Sequence, residues 1–66
     1  MKVIAQSGSY RIVDDAPISL AMEGVGLYSI EEQLNGDWWV QVYPSGGKCT
    51  TDFNEVTRVF HELISK

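Results

Sequence analysis

One cysteine, one histidine, two prolines and five basic residues are all that this 66-residue chain carries of those types, and each scarcity excludes something. A single cysteine cannot close a disulfide within the chain, and Cys49 with His61 cannot complete a structural zinc site. No apolar run approaches the roughly 20 residues that cross a bilayer, so no membrane partner is expected. The amino-terminal stretch MKVIAQSGSYRIVDD has a lysine but no apolar core of the kind a secretory signal needs, which points to the cytoplasm. Nine acidic residues against five basic ones give a net charge of -4. Because Lys2, Arg11, Lys48, Arg58 and Lys66 are also scattered along the chain, direct contact with nucleic acid is disfavoured.

What remains is the composition of an ordinary globular protein, and residues 1–66 are expected to form a single small α+β domain. A domain of this length hides only about 60% of the surface its unfolded chain exposes. Without a disulfide or metal to staple it, self-association is the common remaining device.

Both tryptophans and two of the three tyrosines lie between Tyr28 and Tyr43, in YSIEEQLNGDWWVQVY. Asn35-Gly36 readily adopts consecutive positive φ angles, and the strand-like runs on either side predict a β-hairpin. A two-residue loop would set Leu34 opposite Asp37 and mix apolar with polar side chains on both faces. A three-residue loop, Asn35 to Asp37, pairs Leu34 with Trp38, Glu32 with Val40 and Ile30 with Val42, giving an apolar face interrupted only by Glu32. The opposite face then carries Ser29, Glu31, Gln33, Trp39, Gln41 and Tyr43, a polar surface with two large aromatic rings on it. Ser29-Ile30-Glu31-Glu32 also fits a helical capping box with Gly36 as a stop, but such a helix would have barely two turns.

Lys2–Gln6 and Ser9–Val13, separated by Ser7-Gly8, predict a first hairpin, closed by Asp14-Asp15-Ala16-Pro17. The paired aspartates lack the spaced acidic loop that calcium needs, and no metal or cofactor is expected. Ile18 to Glu23 fits a strand or a helix by periodicity; its Ala, Leu, Met and Glu, with Gly24 as a stop, favour a helical turn. Gly24-Val25-Gly26 supplies bend and clearance rather than a dinucleotide site, since no helix opens after it. Pro44 to Thr51 looks like a phosphate-binding loop but has Val42 and Cys49 where that pattern needs glycine and a hydroxyl. Free N–H groups at the following helix start, with Lys48 nearby, would suit a small anion, yet Asp52 and Glu55 form a capping pair that uses those donors. From Asp52 to Lys66 the stripe Phe53, Val56, Phe60, Leu63 and Ile64 predicts an amphipathic helix covering the hairpin, with Glu55, Arg58 and Glu62 in solvated ion pairs.

Catalytic chemistry finds no constellation. Cys49 precedes the helix start, where a thiol is activated, but His61 stands about 18 Å further along the helix axis. Glu31 and Glu32 point to opposite sides of a strand and cannot act as an acid-base pair.

The expected architecture is therefore α+β, an antiparallel sheet of about four strands from two hairpins packed under one carboxy-terminal helix. The expected role is a non-enzymatic protein-interaction module, an accessory regulator or inhibitor of the kind bacteriophages carry. It would bind itself or a host protein through Trp39, Tyr43, Glu31 and Gln41 on the helix-free face. On that basis Trp39→Ala should spare folding, whereas Trp38→Ala should cost about 3–5 kcal/mol as a core truncation. Two other classes stay open: an acidic DNA mimic that inhibits a nucleic-acid-binding protein, and a small-ligand-binding protein with its site at a subunit interface.

Overall fold

Turn chemistry sets both hairpins of the fold, which a computed structural model describes for all 66 residues. Strands β1 (Lys2–Ser7) and β2 (Tyr10–Asp14) meet at Gly8, whose φ of +59° is the positive value that a tight two-residue turn requires and glycine supplies without strain. Strands β3 (Tyr28–Leu34) and β4 (Trp38–Tyr43) are joined by the three-residue loop expected, with Asn35 at φ +48° and Gly36 at φ +78°. The four strands pair in chain order as one antiparallel meander. Between the hairpins, α1 (Ile18–Met22) is the helical turn that its composition favours. Helix α2 (Phe53–Ile64) then packs on the sheet, so the α+β architecture of two hairpins under one helix is what the chain adopts.

The β3–β4 register runs as anticipated from Leu34↔Trp38 through Glu32↔Val40 to Glu31↔Gln41. It then slips by one: a bulge sets Ile30 against Tyr43 instead of Val42. A bulge inserts one extra residue into one strand and re-aims the side chains beyond it. Tyr43 is thereby turned onto the helix side, where it packs against the core. Placing Tyr43 beside Trp39 on the helix-free face is thus corrected, because strict alternation fails at the bulge.

Ile12 and Ile30 are cross-strand partners, and with Val56 and Phe60 from α2 they form the buried core. Tyr10, Tyr28, Leu63 and Ile64 close its margins. The stripe on α2 is therefore used as its spacing implies, except that Phe53 remains 51% exposed and meets Tyr28 edge-on, with ring centroids 5.4 Å apart. On the other face Val13 and Ser29, also cross-strand partners, are equally buried. This is the end where the 15–27 connection is tied back: Asp14 Oδ1 accepts from Ala16 N–H at 2.9 Å and Leu27 N–H at 3.1 Å, and Asp15 N–H donates to Leu27 C=O. Gly26 supplies the expected clearance, since a Cβ there would run into the Tyr28 ring.

Helix α2 starts where the capping pair predicts. Asp52 accepts from Glu55 N–H at 3.0 Å, while Asp52 N–H donates to Thr50 Oγ1. Its first turn lies by Tyr28 and Tyr43, and its last turn, with Leu63 and Ile64, reaches Ser7 to Tyr10 at the first hairpin's tip. The helix consequently crosses the sheet on a diagonal, above β2 and β3. Twelve helical residues span about 18 Å and the seven of β3 about 24 Å. One corner, at the β3–β4 tip, is left bare.

Candidate functional site

The bare corner is where the largest exposed side chain stands. Trp38 pairs with Leu34 on the helix side of the sheet, yet it is 67% exposed and Leu34 is 42% exposed, because α2 veers away from β4. Trp38 as a core residue is accordingly corrected. Its strand register is the one expected, but the covering element does not reach it.

Trp39 lies on the opposite face and is only partly exposed, because Arg11 covers it: the guanidinium carbon sits 4.0 Å from the ring centroid. The cross-strand register places Arg11 directly opposite Glu31, and its Nε and Nη2 reach the same carboxylate oxygen at 2.8 and 2.7 Å. Cation, carboxylate and indole thus form one satisfied cluster. Gln41, opposite Glu31 on its other side, donates through Nε2 to the carbonyls of Pro44 and Lys48 at 2.7 and 2.6 Å and ties down the turn Ser45–Gly47. Of the four residues expected to bind a partner, Trp39, Glu31 and Gln41 do share the helix-free face. Their side chains are already engaged within the chain, and Tyr43 is on the other side. Partial burial, and then the neighbouring Glu55 carboxylate, hold the Tyr43 phenol above its ordinary pKa.

Sequence patterning does not single out Arg11. Nothing local announces it, because its contact with Glu31 and Trp39 depends on the β2–β3 register across a 13-residue connection.

The main chain of β4 supplies what the side chains of that face do not. Gln33 N–H donates to Ser9 C=O at 2.7 Å, so the Gln33 main chain points toward β2. In an antiparallel ladder successive residues point their main-chain groups to alternate sides. Glu32 and Leu34 therefore face β4 and bond Val40 and Trp38, while Trp39 and Gln41 turn their N–H and C=O groups outward from the sheet edge. No other segment of the chain takes those groups. Strand β4 also contains no charged residue and no proline, the usual guards of an open edge. The other edge, β1, carries Lys2 and a bulge between Val3 and Ala5.

Elsewhere the chemistry is sparse. Cys49 is exposed ahead of α2 and His61 is exposed in its last turn, and no three His, Cys, Asp or Glu residues gather at metal-binding range. A cavity of about 220 Å³ between β1 and α2 is lined by Ile4, Ala5, Ile12, Phe53, Thr57, Phe60 and His61. It is smaller than the roughly 300–1,000 Å³ typical of ligand sites and almost wholly apolar. No helix is long and apolar enough to cross a membrane.

The molecule is thus a small α+β domain, a four-stranded antiparallel meander under one diagonal helix with one unguarded edge. No protein-family model, curated protein or solved structure matches the chain.

Proposed function

We propose that the chain is a non-enzymatic protein-interaction module, a cytoplasmic accessory regulator or inhibitor, that binds through the β4 side of its sheet. One observation carries this reading: two outward-facing residues of an uncharged edge strand stand next to a tryptophan that is 67% exposed. Unpaired strand edges recruit further strands, and a partly hidden aromatic beside them is the usual anchor of a protein interface. Trp39 and Gln41 take part through their main chains; Trp38 and Leu34 supply the apolar contact. Against the DNA-mimic class stands the use of the carboxylates: Asp14 and Asp52 cap backbone donors, and Glu31 and Glu62 pair with Arg11 and Arg58. Too few acids are left free to imitate a phosphate row.

The test is affinity capture from the native host with wild type and with Trp38→Lys, an edge charge of the kind natural sheets use to refuse pairing. Trp38→Lys should keep the far-UV spectrum of the wild type and lose its bound proteins. A variant that stays folded and retains every association of the wild type overturns the reading.

A further inference from the structure

Resting on that reading of the β4 side, we infer that its occupant is a second copy of this chain, joined by antiparallel β4–β4 pairing about a two-fold axis through Val40. The outward donors and acceptors of β4 belong to Trp39 and Gln41, which stand symmetrically on either side of Val40. Rotating a copy by 180° about Val40 brings the second copy's Gln41 opposite Trp39 and its Trp39 opposite Gln41. Each pair exchanges two N–H···O=C bonds, so all the open main-chain groups of both residues are satisfied by four bonds. With an identical strand the contact closes on itself, so neither copy is left with an open group at Trp39 or Gln41.

Charge selects the same edge. Two chains of net charge -4 repel each other, and the repulsion is least where neither strand is charged. Residues Trp38 to Tyr43 are the uncharged edge, while the β1 edge carries Lys2.

The exposed side chains find cover in the same arrangement. Val40 meets the second copy's Val40 as a close non-hydrogen-bonded pair, and Trp38 comes opposite the second copy's Val42, which is 37% exposed in the free chain. The two helices end up on one side of a continuous eight-stranded sheet. The corner that each helix leaves bare lies along the joint, one corner at each end, and each Trp38 there stands beside the second copy's Val42. Six-residue strands with these side chains give an interface at the small, weak end of specific association, under about 1,200 Å² in total. A weak dimer, populated at micromolar concentrations and above, is the expectation.

Sedimentation equilibrium of the purified wild type from about 1 μM to about 1 mM, which spans that range, should pass from the 7.4 kDa of one chain to twice that mass. Register is tested by cysteine crosslinking in a Cys49→Ser background. Val40→Cys is at the closest approach of the two strands and should oxidise to a covalent dimer, whereas Val3→Cys on the β1 edge should remain monomeric. A chain that stays monomeric throughout overturns the inference, even where Trp38→Lys has lost host proteins and the β4 reading survives. Dimers trapped through Val3→Cys but not Val40→Cys overturn it too. Should Trp38→Lys retain every association, the β4 reading fails along with it, so the two failures are told apart by the capture experiment.

Discussion

Replacing each tryptophan in turn by alanine separates the effect of strand register from that of the helix's path. A tryptophan side chain offers up to about 250 Å². With 67% of Trp38 exposed, folding hides about a third of that, roughly 80 Å². At about 25 cal/mol per Å², and allowing for the Cβ that alanine keeps, Trp38→Ala should cost about 1–1.5 kcal/mol in the monomer. Trp39 is mostly hidden beneath Arg11 and loses roughly twice the area, about 3 kcal/mol. The guanidinium stacked on its face adds about 1 kcal/mol, since Arg11 is itself largely buried. Trp39→Ala should therefore cost about 3–5 kcal/mol against a total stability of about 3–10 kcal/mol for a chain of this length. Urea unfolding followed by far-UV circular dichroism, at a concentration low enough to keep the chain monomeric, is the assay. With an m-value of about 1 kcal/mol/M, the midpoint should fall by about 1 M for Trp38→Ala and about 3 M or more for Trp39→Ala. This order is the reverse of the one expected from alternation alone. Equal losses, or a greater loss for Trp38→Ala, would refute the diagonal placement of α2 and the covering role of Arg11.

Asp14 holds both ends of the 15–27 connection through one carboxylate oxygen, so Asp14→Ala should cost about 1–3 kcal/mol. Hydrogen exchange should show faster opening of the Ala16 and Leu27 amides while those of β3 and β4 stay protected. For Tyr43 the folded phenol has a raised pKa, by burial first and the Glu55 carboxylate second. The neutral phenol is the form that folding favours; its contribution is fully present below the unfolded value, about 10, and is lost as pH rises from there through the folded value. Melting temperatures taken from pH 8 to about 11.5 should consequently fall more steeply for the wild type than for Tyr43→Phe above about pH 10. Parallel curves would mean that the Tyr43 phenol is neither desolvated by folding nor beside the Glu55 carboxylate.

Features governed by a few neighbouring residues were legible in the chain itself. Gly8 and Asn35-Gly36 specify their turns because they adopt positive φ at little cost, and each turn fixes the adjoining register for several residues. Asp52 and Glu55 mark the start of α2, and the spacing of Val56, Phe60, Leu63 and Ile64 marks its buried side. Even the three-residue loop follows from sorting apolar against polar side chains across one pair of strands. Tertiary structure alone decided how those pieces meet. The bulge that turns Tyr43 inward appears where β4 must end and Thr50 must take its place beside Tyr28, a demand made by residues 44 to 52 returning to the sheet. Which tryptophan is hidden depends on a helix that begins over Tyr28 and Tyr43 and ends over the first hairpin, and on an arginine brought to Trp39 by a strand pairing formed across a long connection. Local rules act over a few residues of chain and leave such choices open, since the free energy that decides them is summed over contacts between segments far apart in sequence.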